Sequence, residues 1–215
     1  MGDKRIGVVS NPRSGTSLMV YLFVHCFDIK GVLPLFPHLD TNDVYEYRAT
    51  PSDLLKWADN SYYTLFIMRD PRDVVVSKYP SIKDYLIDFG SWKENYNYYL
   101  RLKETSNVLD IRFEDLLSTP LSVQQDIKEF ISLPQICGFD NFADCPKNTK
   151  LKRIDDLIFE MGGVRPLKKH IGPPNWKKDE NRARIKEQLH KFPFMVDNLL
   201  SLGYEDSIEW ASNFK

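Results

Sequence analysis

The chain opens on a short apolar run, Arg5-Ile6-Gly7-Val8-Val9, rich in branched residues and without alternation. A strand buried on both faces of a parallel sheet has this pattern. Ser10 to Gly15 interrupts the run, and Ser14 or Gly15 opens a helix reaching to about Phe27. Its apolar stretch Leu18 to Phe27 (LMVYLFVHCF) is well short of the ~20 residues a membrane span needs, so it predicts a buried helix. Asp28 to Thr50 contains Pro34 and Pro37 and reads mostly as loop, with a second strand over Val44 to Arg48. Pro51 to Trp57 predicts a short helix, with Thr50 as cap and Pro51 in the first turn.

Tyr62 to Met68 (YYTLFIM) is the strongest strand pattern in the chain. It runs into Arg69-Asp70-Pro71 and a helix from about Arg72 to Tyr79. Trp92, Tyr96 and Tyr99 fall on one face of a helix over Gly90 to Ser106. Val108 to Phe113 is the next strand, followed by a turn at Glu114 to Leu116 and a helix over Thr119 to Ser132. Leu133 to Asn148 reads as loop, Leu151 to Met161 as helix and Gly162 to Trp176 as a Gly/Pro/Lys-rich loop. Helices over Asp179 to Lys191 and Pro193 to Ser201 finish the pattern. Strands alternating with helices predict one α/β domain over residues 1–215, a sandwich with a mainly parallel sheet. Ligands of such sheets collect at the carboxyl ends of the strands. The loops after Val9 and Met68 lie at such ends.

Composition changes this picture little. The chain has 215 residues, 42% hydrophobic and 27% charged, as a soluble globular domain does. A formal net charge of -1 gives the whole molecule no general attraction for nucleic acid. Arg165 to Lys191 is locally basic, and reads either as a solvated helix face or as a funnel for an anionic ligand. Acids interrupt that run and no nucleic-acid motif accompanies it, so no nucleic-acid partner is expected. Cys26, Cys137 and Cys145 form no Cys-x-x-Cys pair, so neither a disulfide framework nor a zinc site is expected. With no signal-peptide core and no membrane span in view, a reducing, cytoplasmic setting is expected.

The candidate chemistry sits in the two loops. VVSNPRSGTSLM places a glycine and three hydroxyl residues between a strand and a helix. Amides at a helix start lack intrahelical partners and carry partial positive charge, which suits a phosphate or sulfate oxygen. Ser14, Thr16 and Ser17 add hydroxyls, Gly15 allows close approach, and Arg13 adds a charged fork. A plain turn capping a core helix is the alternative; the Walker A spacing is absent. In the second loop, FIMRDPRDVVVSKY, Arg69 at the strand end and Ser77 beyond Pro71 are placed to converge on one anion. A charged, exposed helix start, with Asp70 and Asp73 favouring the dipole and Arg72 pairing with them, is the alternative.

Together, PRSGTSL and R-x-P-x-D-x-x-x-S-x-Y resemble the two phosphate-binding motifs of the sulfotransferase superfamily, whose donor is 3′-phosphoadenosine 5′-phosphosulfate (PAPS). The resemblance implies a three-layer α/β/α, P-loop-NTPase-like fold, and a length short for that superfamily points to a small, bacterial- or viral-type member. It implies that Arg13, Ser14, Gly15, Thr16 and Ser17 hold the 5′-phosphosulfate, and that Arg69 and Ser77 hold the 3′-phosphate. IRFEDLLSTP (Ile111 to Pro120) is similar to a third family segment, with Phe113 for Tyr. KKHIGPPNWKK is similar to the segment that closes over the nucleotide, which puts Lys169 and His170 beside the 3′-phosphate, although its glycines are shifted. No metal is required, because Arg, Lys, Ser and N–H groups can meet the donor's phosphates.

An acceptor hydroxyl also needs a general base. Ala49 stands where one branch of the family has its His. Glu46, His38 and Asp40 are the candidates, with Arg48 assisting and Glu46 preferred; His25 reads as core and His190 as surface. The reading is sulfuryl transfer to a small-molecule or glycan acceptor, with product adenosine 3′,5′-bisphosphate (PAP). Tyr79, Tyr85 and Trp92 are candidates to line the acceptor pocket. A P-loop kinase and a non-catalytic PAP-binding module are the alternatives.

Overall fold

A computed structural model of the chain describes residues 5–28, 62–78, 84–85, 87–104, 107–145, 167 and 172–214. The three apolar runs that fall there form strands β1 (Arg5–Ser10), β2 (Tyr62–Met68) and β3 (Val108–Arg112). They pair in parallel in the order β1-β2-β3. β2 is central, so both its edges are hydrogen-bonded, and it is the run with the strongest strand pattern. Ser10 pairs with Ile67, and Met68 with Arg112, so the three carboxyl ends finish side by side.

Alternate residues of a strand point to opposite faces, and both faces of this sheet are covered. Val8, Leu65, Ile67 and Ile111 enter one buried cluster. Helix α1 (Thr16–Cys26) joins it, with the helices that follow β3, α4 (Phe113–Ser118) and α5 (Pro120–Ile131). Val9, Phe66 and Met68 enter a second cluster. It is completed by α2 (Pro71–Val75), α3 (Phe89–Lys103), α6 (Asp179–Lys191) and α7 (Met195–Ser201). α1 is apolar all round and is buried from Leu18 to Cys26 except at Tyr21, as a core helix must be. His25 is buried there beside the Tyr21 ring, and His190 is exposed on α6.

Several boundaries depart from the sequence pattern. The helix expected to reach Tyr79 stops at Val75, and Lys78 instead bridges to Tyr85. The turn expected at Glu114 to Leu116 is the helix α4, which follows β3 directly. Glu114 and Asp115 suit a first turn electrostatically, so these acids mark a helix start rather than a loop. The loop expected after Leu133 contains a 3₁₀ turn, Phe139–Asp144, whose Phe139 and Phe142 enter the first cluster. A short helix, α8 (Glu209–Ser212), follows the last expected one and buries Trp210. Trp92 is fully buried in the second cluster, stacked between Phe89 and Tyr96. Its ring therefore presents no surface to solvent, where a place in the acceptor pocket was expected; Tyr85 carries Lys78 and Arg184 against its ring.

The cysteines correct a second expectation. Cys137 and Cys145 form a disulfide, with Cα atoms 5.9 Å apart. The 3₁₀ turn folds the chain back on itself and brings the pair within bonding reach. Sequence separation alone shows no such fold-back. The expected strand Val44 to Arg48 and the helices over Pro51 to Trp57 and Leu151 to Met161 lie outside the described residues. Among the described residues no helix is long and apolar enough to cross a membrane.

Candidate anion-binding site

The loop between β1 and α1 is shaped by two left-handed residues, Arg13 (φ 69°) and Gly15 (φ 94°). Gly15 caps α1 without a side-chain hydrogen bond. The first amides of α1 have no intrahelical acceptor and face the region beyond the carboxyl edge of the sheet. A Cβ on Gly15 would stand 2.4 Å from Cδ2 and 2.5 Å from Cε2 of Phe113, so the loop is pressed onto that ring. Phe113 in turn carries the Arg69 guanidinium over its face, 4.7 Å from the ring centre.

The second loop is tied to the first. Arg13 Nε donates to Ser77 Oγ at 3.0 Å, and its Nη2 donates to the Lys78 carbonyl at 3.2 Å. Arg69 Nη1 donates to the Arg13 carbonyl at 2.9 Å, and Nη2 pairs with Asp73 Oδ2 at 3.0 Å. Asp73 Oδ1 accepts the Trp176 backbone N–H at 3.0 Å. One carboxylate thus anchors both Arg69 and the end of the late Gly/Pro/Lys-rich segment. Glu114 is a further brace: its Oε1 accepts the Asp70 backbone N–H at 2.9 Å, and its Oε2 accepts the Tyr204 hydroxyl at 3.4 Å. Burial pushes the Glu114 carboxyl up, against the pull of the Asp70 amide.

The start of α2 is buried, not the exposed charged turn that the alternative reading expects. Asp70 caps it by accepting from the Arg72 amide at 2.9 Å. The Arg72 guanidinium, 2% exposed, forks onto Asp70 with its Nη2 2.7 Å from Oδ2, and also pairs with Glu205. It lies between Trp176 and Trp210, 3.8 Å and 4.9 Å from their ring centres. Burial opposes its charge, and the two carboxylates more than offset that, so the guanidinium is held more firmly protonated than usual.

Three buried polar atoms at this junction have no hydrogen-bond partner among the described residues: Ser14 Oγ, Arg69 Nε and Asn11 Oδ1. Unpaired buried donors cost free energy unless a ligand meets them. Two of the three, the Ser14 hydroxyl and Arg69 Nε–H, are donors of the kind a phosphate or sulfate oxygen takes. Thr16 lies against Ser10 through a hydroxyl–hydroxyl contact. The donor set is therefore chemically fit for a multiply charged anion.

The structure brings together seven residues that the two motifs single out: Arg13, Ser14, Gly15, Thr16 and Ser17 from one loop, Arg69 and Ser77 from the other. Arg13 and Arg69 are already engaged within the protein. Lys169 and His170, and the base candidates Glu46, His38, Asp40 and Arg48, lie outside the described residues. Tyr79 does as well. The roles of Phe113, Glu114 and Asp73 escape sequence reasoning, because each acts by contact with a segment far away in the chain. The sequence signs were the aspartate of R-x-P-x-D, which is Asp73, and the segment Ile111 to Pro120; both stand out without revealing what they touch. In the basic stretch, Arg184 donates to the Val75 and Ile87 carbonyls and pairs with Glu187, and so braces α6.

Fold and site define an α/β protein with a candidate anion site in the loop at the carboxyl edge of a parallel sheet. No family model matches the chain. It is 27% identical to human sulfotransferase 2B1, over 64% of this chain and 46% of that protein. It is also 34% identical to an uncharacterized leucine-rich repeat-containing protein of Amsacta moorei entomopoxvirus, over 36% of this chain and 16% of that protein. The chain spans less than half the length of each of these curated relatives.

Proposed function

We propose that the protein is a PAPS-dependent sulfotransferase with the three-layer α/β/α architecture of that superfamily. The observation that carries the reading is the direct junction of the two loops, Arg13 Nε to Ser77 Oγ and Arg69 Nη1 to the Arg13 carbonyl. Two anion-suited segments 64 residues apart meet at one sheet edge, as a donor phosphorylated at two places requires. The distant similarity to a human sulfotransferase supports the same reading.

In this reading Ser14, the α1 amides and Arg13 receive the 5′-phosphosulfate end, while Arg69 and Ser77 receive the 3′-phosphate. PAPS supplies an activated sulfuryl group. The protein's part is to hold donor and acceptor in line and to stabilise charge on the leaving phosphate oxygen. Arg13 and the helix-start amides suit that second task. The acceptor is a small molecule or glycan hydroxyl or amine, with Glu46 the preferred base ahead of His38, and Lys169 and His170 contact the 3′-phosphate.

Calorimetry with PAP, and with ATP in the presence and absence of Mg²⁺, tests the reading. Metal-independent binding of PAP without an ATP response is expected. Mg²⁺-dependent ATP binding in its place sinks the proposal in favour of a kinase. Arg69→Ala should weaken PAP binding far more than binding of adenosine 5′-phosphate; equal losses would show that Arg69 does not meet the 3′-phosphate.

A further inference from the structure

The three cysteines come from two distant parts of the chain and end at one point. Their sulfur atoms all lie within 4.8 Å of one another. Cys26 closes α1, and the chain beyond α5 runs back along it. The Asp28 amide donates to the Pro134 carbonyl at 2.9 Å, and the Ile136 amide to the Cys26 carbonyl at 2.8 Å. Phe27 and Gln135 form an antiparallel bridge. Buried Gln124 fixes the next turn by donating to the Cys137 carbonyl at 2.6 Å and accepting the Phe139 amide at 2.9 Å. Cys137 and Cys145 are disulfide-bonded. The free thiol, Cys26, is fully buried, and its Sγ stands 3.7 Å from Cys145 Sγ.

A thiol held in van der Waals contact with a disulfide sulfur is positioned for exchange. We infer that Cys26, Cys137 and Cys145 form one thiol–disulfide site, in which Cys145 can be bonded either to Cys137 or to Cys26. In the exchange the Cys26 thiolate attacks Cys145 Sγ and the Cys26–Cys145 bond forms. The Cys137–Cys145 bond breaks, and Cys137 leaves as a thiolate that takes the proton lost by Cys26. No net oxidation occurs. The first bond closes a sequence separation of 8 residues, the second one of 119. The swap therefore converts a local clip into a cross-link between α1 and the chain beyond α5, which constrains the unfolded chain much more. Burial and the nearby Asp140 carboxylate push the Cys26 thiol up to about 12. Little thiolate exists at neutral pH, so the first bond persists there and exchange quickens as pH rises.

Disulfide mapping by mass spectrometry on the full chain, after thiols are blocked with N-ethylmaleimide in denaturant, tests the site. Wild type prepared without reductant should give the Cys137–Cys145 peptide with Cys26 blocked. Cys137→Ser treated with oxidised glutathione, which takes up the two electrons, should give a Cys26–Cys145 peptide, and its unfolding midpoint should fall on reduction. A Cys137→Ser protein with wild-type circular dichroism that carries only a glutathione adduct on Cys145 and a free Cys26 overturns the inference. Should that variant fail to fold, wild type held at pH 9.5 decides: appearance of the Cys26–Cys145 peptide supports the site, and its absence refutes it. Zinc bound at one equivalent with all three thiols reduced would also overturn it, and would make the cluster a metal site.

Discussion

Gly15→Ala tests the way the two motifs are pressed together. At φ 94° the new side chain pays the left-handed penalty, about 1–2 kcal/mol for an L residue. Its Cβ would also sit 2.4 Å from Phe113 Cδ2, more than 1 Å inside ordinary carbon contact at ~3.5 Å. The ring is 6% exposed and has Arg69 on its face, so it cannot swing aside without disturbing the second loop. Forcing an extra carbon into such packing costs about 1–3 kcal/mol. The sum, about 3 kcal/mol, is a large part of a typical total of about 5–15 kcal/mol. For a chain of this size it lowers the melting temperature by about 6–12 °C. Urea unfolding followed by the fluorescence of the buried Trp92, Trp176 and Trp210 measures it. Phe113→Leu removes the ring atoms that clash, so in the double variant only the backbone penalty should persist, with a coupling of about 1–2 kcal/mol between the sites. A Gly15→Ala protein within about 0.5 kcal/mol of wild type, or no coupling to Phe113, would mean that the ring yields to the new carbon and the loop is not pinned there.

Three further outcomes are expected. Arg72→Met strips Asp70 and Glu205 of their shared partner at a buried site and should destabilise by about 3–5 kcal/mol in urea unfolding, whereas a loss under 1 kcal/mol would show that water reaches the carboxylates. Burial raises the Glu114 carboxyl above its ordinary 4.5, so its ionisation counts against folding as pH climbs through 4.5 towards the folded value; Glu114→Gln, which can still accept from the Asp70 amide, should flatten the fall in urea midpoint between pH 4.5 and pH 7, and an unchanged slope would contradict this. Ser77→Ala removes the acceptor of Arg13 Nε and should weaken PAP about tenfold, near the ~1.4 kcal/mol scale of one hydrogen bond to a charged group, with the melting temperature within a few degrees of wild type; unchanged affinity would detach Ser77 from the site.

Much of this protein is legible in its sequence. β1 and β2 are apolar runs bounded by punctuation, legible because a strand buried on two faces tolerates few polar residues. The edge strand β3 (VLDIR) is only partly buried, with Asp110 exposed, and is legible from its branched apolar residues. The candidate anion loop is legible because a strand, a glycine with hydroxyl neighbours and a helix lie within a dozen consecutive residues. Everything that depends on contact between distant segments comes instead from how the elements pack. Arg69 and Ser77 join Arg13 only because parallel pairing sets the ends of β1 and β2 side by side. Phe113 presses on Gly15 because β3 takes the other edge of β2, and α4 starts without a turn. The three cysteines show no metal or disulfide spacing, yet a 3₁₀ turn and the bridge from Phe27 to Gln135 bring their sulfurs together. Local propensity and hydrophobic period act over a few residues and can be read along the chain. Register, fold-back and burial of charge are set by packing between elements, and no local pattern carries them.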